Sequence, residues 1–123
     1  MHLSFNVLII PLSLLIASIQ AEPVRIIFDT DMGNDIDDAL ALAMIHSLET
    51  RGACELLAVT STKDHPKSVA FIDGLNTFYG RPDIPVGAVR EGVTPQKGRY
   101  LQLVEQTCEQ GDLLYPHDLR DSS

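Results

Sequence analysis

The chain has 123 residues, with 17 Asp and Glu against 9 Lys and Arg and a formal net charge of −8. This length suits one small domain and is too short for an eightfold β/α barrel, which needs roughly 250 residues. The negative charge and the lack of a basic run in the sequence argue against a nucleic-acid partner, because phosphate backbones are bound by clustered Lys and Arg.

The first 21 residues carry no Asp, Glu, Lys or Arg and include an apolar run over 7–19. Such a segment, ending in the small residue Ala21, is typical of a secretory signal peptide. It is short for a membrane span, which needs about 20 apolar residues. We therefore predict a signal peptide at 1–21, a mature domain at 22–123, a secreted or periplasmic location and no stable membrane span. An uncleaved anchor is the alternative.

Three strands are predicted from short runs of apolar and β-branched residues, at 24–28, 55–60 and 84–89. Helical patterns separate them, so the connections imply parallel crossovers. Strands that are apolar on both faces fit a sheet covered by helices. The sequence therefore predicts an α/β fold in β-α-β-α-β order, a parallel sheet with flanking helices that is Rossmann-like.

The first helical pattern begins at Asp38, is apolar nearly all round over 39–45, continues as a polar stretch to Arg51, and is followed by Gly52. We expect a largely buried helix that ends at this glycine. The second begins near Pro66, with Asp64 or His65 as its cap. A third, weaker pattern covers 100–109, and nothing periodic follows it.

Five aspartates lie in the ten residues 29–38, which we call the acidic segment; they are Asp29, Asp31, Asp35, Asp37 and Asp38. Helix capping and the helix dipole account for about two of them. In parallel sheets ligands bind beyond the carboxyl ends of the strands, where this segment begins. Crowded carboxylates raise each other's pKa, and a hard cation such as Ca²⁺ relieves their repulsion. The segment therefore predicts a cation or substrate site.

Several cation and phosphate motifs are excluded by spacing. An EF-hand needs a Glu where this chain has Leu40 or Leu42. A P-loop needs a Gly-Lys-Ser/Thr that does not follow, and Gly33 stands alone, which excludes a glycine-rich dinucleotide loop.

Two interpretations of the acidic segment remain open. A phosphatase of the haloacid-dehalogenase kind has a hydrophobic strand ending in Asp-x-Asp, with Asp29 as nucleophile and Asp31 as acid/base. In that motif a Thr or Val occupies the position that Gly33 has in this chain, and the motif assigns no role to Asp37 or Asp38. A non-catalytic module that binds a cation or a sugar is the other possibility.

The run from Ile26 to Leu42 resembles the N-terminal signature of the inosine-uridine preferring nucleoside hydrolases. In that family a strand ends in Asp-x-Asp-x-Gly, and an Asp-Asp-Ala follows at the helix start. Residues 56–60 are similar to the family's second strand, and 80–86 to the entry of its third. The resemblance implies Ca²⁺-assisted hydrolysis of the N-glycosidic bond of a nucleoside, giving a free base and ribose. The expected partner is therefore a small molecule, a nucleoside or ribose.

The resemblance also implies roles for individual carboxylates. It implies that Asp31 ligates Ca²⁺ and accepts a proton from the attacking water, and that Asp38 is a second Ca²⁺ ligand. It implies that Asp37 accepts hydrogen bonds from the ribose hydroxyls. Asp35 is an extra acid relative to the commoner family pattern and is an alternative sugar ligand. Asp29 would support these groups from outside.

Other features of the family find no assignment in this chain. Asp64 or His65 stands where the family often has an Asn near the sugar, and each is either a substitute for it or a helix cap. The family's domain is longer, and its later Asp ligand and its His have no match here. We therefore expect an apparently truncated domain with weak or absent catalysis, because Ca²⁺ affinity follows ligand number and rigidity.

Cys54 and Cys108 either pair or remain isolated thiols.

Overall fold

The computed structural model of the chain describes residues 21–91, 94 and 98–119. Residues 1–20, which carry nearly all of the predicted signal peptide, lie outside these ranges. Within the ranges, every helix is too short or too polar to cross a membrane.

The described residues form a three-stranded parallel sheet with two helices. The strands are β1 (Val24–Thr30), β2 (Cys54–Ser61) and β3 (Val86–Ala88). The helices are α1 (Asp37–Thr50) and α2 (Ser68–Phe78), followed by a 3₁₀ helix at Leu101–Glu105. The strand order is β1-β2-β3 with both pairs parallel. The predicted α/β class and β-α-β-α-β order are confirmed, and the sheet is compatible with a portion of a Rossmann-like fold. The weak pattern after residue 100 forms a short 3₁₀ helix instead of an α-helix.

A β-bulge in the β1–β2 pair controls which face of β2 is buried. Leu57 is the extra residue opposite β1. Because successive side chains alternate between faces, one extra residue exchanges the faces of those that follow it. Cys54 and Leu56 are buried before the bulge, and Val59 and Ser61 are buried after it. The bulge therefore keeps Val59 in the core and directs Ser61 inward at the carboxyl end of the strand.

One face of β1 is covered and the other is open. Ile26 and Phe28 pack against the core, whereas Ile27 between them is 63% exposed. Leu40 and Met44 on α1 are also exposed. We predicted a strand covered on both faces and a largely buried α1. For the described residues, both predictions are wrong. The reason is topological, since two right-handed crossovers in a sheet of order 1-2-3 place both helices on the same side.

The core lies between the covered face of the sheet and the two helices. Its buried members are Met32, Ala39, Leu42, Ile45, Cys54, Leu56, Val59 and Ile72. Burying a large apolar side chain contributes roughly 1.5–3 kcal/mol, so these contacts are the main stabilising term. Both cysteines are free thiols, and the Cys54 Sγ donates to the carbonyl of Ile45.

A buried polar contact joins α1 to α2. His46 is completely buried, with Nε2 2.9 Å from Asn76 Oδ1 and its ring stacked on Tyr79. Burial lowers the pKa of His46; the Asn76 hydrogen bond opposes this, the charge of Arg81 adds to it, and Glu49 opposes it. The contact lies near the amino ends of the strands, at the opposite end of the sheet from the acidic segment.

The chain after the 3₁₀ helix returns to α2. Asp73, a buried carboxylate of that helix, accepts hydrogen bonds from the backbone N–H groups of Asp118 at 2.7 Å and Leu119 at 3.0 Å. Asp73 therefore fixes this irregular segment against one side of α2.

Candidate functional site

The acidic segment begins where β1 meets the core. Thr30, the last residue of β1, is buried, and its Oγ1 accepts a hydrogen bond from the N–H of Met32 at 3.0 Å. Met32 is itself buried in the core. Asp31 between them is exposed. Burial on both sides therefore fixes the backbone at the point where Asp31 projects from the end of the strand.

Asp31 and Asp38 lie together, although the loop separates them in sequence. The pKa of Asp38, in the first turn of α1, is raised above its ordinary value. Burial is the largest cause, and a hydrogen bond with the Thr30 side chain opposes it. The charge of Asp31, a hydrogen bond with Asp31 and the charge of Asp37 each raise the pKa further. Two of the predicted site carboxylates are thus direct neighbours, with a third close by.

The remaining acids occupy other positions. The Oδ1 of Asp29 accepts a hydrogen bond from the hydroxyl of Thr60 on β2, and Asp29 lies on the exposed face of β1. Asp35 and Asp37 are exposed, Asp35 in the loop and Asp37 at the first position of α1. Asp35 and Asp37 are therefore accessible from solvent at the carboxyl end of the sheet, and Asp29 is engaged with the neighbouring strand.

A distant part of the chain folds back onto this loop. The N–H of Arg99 donates to the carbonyl of Gly33 at 2.6 Å, and the hydroxyl of Tyr100 donates to the carbonyl of Asp35 at 2.7 Å. Sequence reasoning missed Tyr100, because no local pattern indicates that it contacts a segment so far away along the chain.

The pKa of Tyr100 reflects the negative charge of the aspartates around it. Burial raises the pKa of Tyr100, a backbone hydrogen bond at Gly33 lowers it, and the charges of Asp38, Asp37 and Asp35 raise it. The phenol therefore lies in the field of three aspartates at once.

Gly33 and Lys63 meet beneath the loop. Gly33 has φ of +150°, and a Cβ there would lie 3.1 Å from Leu101 Cδ1 and 3.2 Å from Lys63 Cε. Lys63 is only 1% exposed. A buried ammonium group is costly unless charged or polar partners surround it. Sequence reasoning missed this lysine, although a Lys directly after the carboxyl end of a buried strand was a usable signal.

His65 has a local structural role at the start of α2. Its Nδ1 accepts a hydrogen bond from the N–H of Lys67 at 3.1 Å. Burial lowers the pKa of His65, and the charges of Lys67 and Lys63 lower it further, which favours the neutral ring that can accept this bond. The N-cap position of α2 is Lys67, which has no side-chain capping hydrogen bond, so the prediction that Asp64 or His65 caps this helix is wrong; His65 instead orders the turn that precedes it. Asp64 is exposed.

The donor set can be compared with what Ca²⁺ requires. Over residues 21–91, 94 and 98–119, the structure has no group of three or more His, Cys, Asp or Glu side chains placed to hold a metal ion. Asp31 and Asp38 offer carboxylate oxygens, the donors that Ca²⁺ prefers, but Ca²⁺ takes six to eight oxygens. A cation would also relieve the repulsion that raises the Asp38 pKa. The pair therefore fits one part of a Ca²⁺ shell.

Comparisons of the chain with protein-family models, with curated proteins and with solved structures found no match. The fold and the site define an α/β protein with an acidic site at the carboxyl end of its first parallel strand. Any narrower statement of function rests on the resemblance in the sequence and on the geometry of this site.

Proposed function

We propose that the acidic segment is the amino-terminal part of a site that hydrolyses the N-glycosidic bond of ribonucleosides with the help of Ca²⁺. The proposal includes the finer statement of fold, that the sheet is the first portion of a nucleoside-hydrolase-like domain. The observation that carries the proposal is the proximity of Asp31 and Asp38. These are the two carboxylates that the resemblance implies are Ca²⁺ ligands. Their place beyond the end of a parallel strand is where ligands of such sheets bind.

In this proposal Asp31 and Asp38 would be the carboxylates that hold the cation. When bound, Ca²⁺ supplies a Lewis acid that makes water more acidic. Asp31 is exposed, so its second oxygen can accept the proton of the attacking water. The water oxygen bonds to the anomeric carbon, and the base leaves with the electrons of the C–N bond.

Asp37 and Asp35 serve the sugar in the same proposal. Both are exposed; the charge of Asp37 acts on Asp38 and that of Asp35 on Tyr100, and a carboxylate accepts hydrogen bonds from ribose hydroxyls well. As the C–N bond breaks, positive charge develops on the ribose ring, and nearby carboxylates stabilise it. The substrate is then a neutral nucleoside, because a phosphorylated one would be repelled by this much negative charge.

The test is an assay of reducing-sugar release from inosine and uridine by the full chain with Ca²⁺, beside calorimetry of Ca²⁺ binding. Because these residues would form only the amino-terminal part of such a site, we expect weak Ca²⁺-dependent release at most, and we expect any release to fall below detection in Asp31→Asn. Asp83→Asn is the matched control, since Asp83 is an exposed aspartate in the turn after α2. Failure of the wild-type chain both to bind Ca²⁺ and to release ribose would exclude the proposal.

The two alternatives give different results in the same experiments. A cation-binding or sugar-binding module binds Ca²⁺ or ribose without any release, and the finding that two carboxylates come together without a third ligand among the described residues favours it as the second candidate. A phosphatase releases phosphate with Mg²⁺ and loses this activity in Asp29→Asn. The hydrogen bond from Thr60 to Asp29 makes that carboxylate a poorer nucleophile.

A further inference from the structure

We infer that Tyr100 is a positioning residue of the acidic segment, which holds the loop before α1 in the conformation that brings Asp38 to Asp31. The inference deepens the proposed function and rests on it for its link to Ca²⁺. It names a side chain that no motif in the acidic segment itself would indicate.

The first support is that the three residues just before and at the start of α1 are not held by burial. Met32 and Ala39 are buried at its two ends, but Asp35, Ile36 and Asp37 are exposed. Ile36, at the N-cap position of α1, makes no side-chain capping hydrogen bond. Aspartates crowded along this stretch repel one another, which favours an opened loop.

The second support is that Tyr100 is anchored at both ends. Its ring packs against Phe71 of α2, with the ring centroids 5.0 Å apart, and its hydroxyl donates to the carbonyl of Asp35. The next residue, Leu101, is completely buried against Gly33. Tyr100 therefore connects α2, a rigid element, to the centre of the loop.

The third support concerns which oxygens face a cation. The carbonyls of Gly33 and Asp35 accept hydrogen bonds from Arg99 and Tyr100. These two carbonyls are partly engaged, so the exposed carboxylate of Asp31 is the more accessible oxygen ligand for a cation at this loop. Because affinity depends on ligands held in place before binding, removal of the hydroxyl should weaken Ca²⁺ binding by roughly three- to tenfold, the worth of one hydrogen bond.

The experiment uses the full chain and the variant Tyr100→Phe, which keeps the ring against Phe71 and removes the hydroxyl. Hydrogen–deuterium exchange without Ca²⁺ is expected to become faster in peptides covering 33–40 and to stay unchanged in β2. Tyr115→Phe is the control, since Tyr115 lines an apolar cavity beside α2 and touches no aspartate of the loop there. Unchanged exchange at 33–40 in Tyr100→Phe overturns the inference, and so does faster exchange throughout the chain.

The link to Ca²⁺ is tested separately. The chain has no Trp and three Tyr, so tyrosine emission is readable, and Tyr79→Phe with Tyr115→Phe leaves Tyr100 as the reporter. We expect Ca²⁺ to change this emission with the midpoint found by calorimetry, and Tyr100→Phe to weaken binding by the factor given above. Equal affinity in Tyr100→Phe and wild type overturns the inference. A wild type that binds no Ca²⁺ contradicts the proposed function instead, and the exchange result still decides the role of Tyr100.

Discussion

The carboxylate of Asp31 lies beside Asp38, whose pKa is raised first by burial and then further by the charge of Asp31 and a hydrogen bond with it. Asp31 directly follows β1 and Asp38 lies in the first turn of α1, so the fold brings like charges together instead of separating them. Folded proteins keep such repulsion where it serves a ligand, because it costs stability when the ligand is absent. This relationship leads directly to a prediction about stability.

Asp38→Asn is expected to leave the melting temperature of the Ca²⁺-free chain at pH 7 equal to or above that of the wild type. Because the folded-state pKa of Asp38 is raised, the folded chain binds more protons than the unfolded chain just above the ordinary pKa. The free energy of unfolding therefore falls as pH rises through that window, and the loss persists at pH 7. Asparagine removes this cost.

Calorimetric melting with and without Ca²⁺ measures both effects, since the same variant should lose the stabilisation that Ca²⁺ gives the wild type. Asp83→Asn serves again as the control and should keep that stabilisation. A clear drop in melting temperature for Asp38→Asn without Ca²⁺ would contradict the repulsion argument.

Gly33→Ala is expected to destabilise the chain by roughly 1–3 kcal/mol, from backbone strain together with crowding. The new Cβ would meet Leu101 and Lys63, both buried. Gly80→Ala separates the two causes, because Gly80 also has positive φ, +74°, but has open space around its Cβ position. Denaturant unfolding of the three proteins should rank wild type, then Gly80→Ala, then Gly33→Ala in decreasing stability. Equal losses in the two variants would show that packing beneath the loop adds nothing.

The order of elements could be predicted from the sequence because it depends on local patterns. The apolar run before Asp29 and the helical run that ends at Gly52 carry their own periodicity, and the structure has β1 and α1 there. The neighbouring positions of Asp31 and Asp38 could likewise be expected, since a short loop joins a strand end to a helix start.

Other features depended on contacts between distant segments. The bulge at Leu57 exists only in the pairing of two strands, and the burial of Lys63 follows from the packing of Leu101 and Gly33 around it. The same holds for Tyr100, whose hydroxyl reaches the loop from the far end of the described chain. No periodicity within one segment carries such information, which is why these residues were missed.

The amino-terminal segment leads to a third prediction, which concerns processing. Cleavage after Ala21 gives a mature chain that begins at Glu22, so a host that exports the protein should yield that N-terminus. Mass spectrometry of the exported protein measures it directly. Retention of the intact Met1 terminus in the membrane fraction would favour the uncleaved anchor, and replacement of the apolar run by polar residues should prevent export in either case.

The buried contact between the helices leads to a prediction about pH. The pKa of His46 is lowered by burial, so the unfolded chain takes up the proton at a higher pH than the folded chain does. The free energy of unfolding should therefore be highest above about pH 6.5, the ordinary His pKa, and should fall as pH is lowered from 7.5 to 5.5. His46→Gln should reduce this dependence to the part that His65 contributes, whose pKa is also lowered, and should reduce stability at pH 7.5 by roughly 1–3 kcal/mol, because Asn76 loses a buried partner.

Denaturant unfolding at several pH values measures the effect, and His117→Gln is the control, since His117 lies in the irregular segment that follows the 3₁₀ helix. Glu49 and Arg81 face the same ring with opposite charges, and their effects on the His46 pKa oppose each other. The direction therefore rests on burial. Stability that rises towards pH 5.5 in the wild type, but not in His46→Gln, would mean that Glu49 outweighs both burial and Arg81.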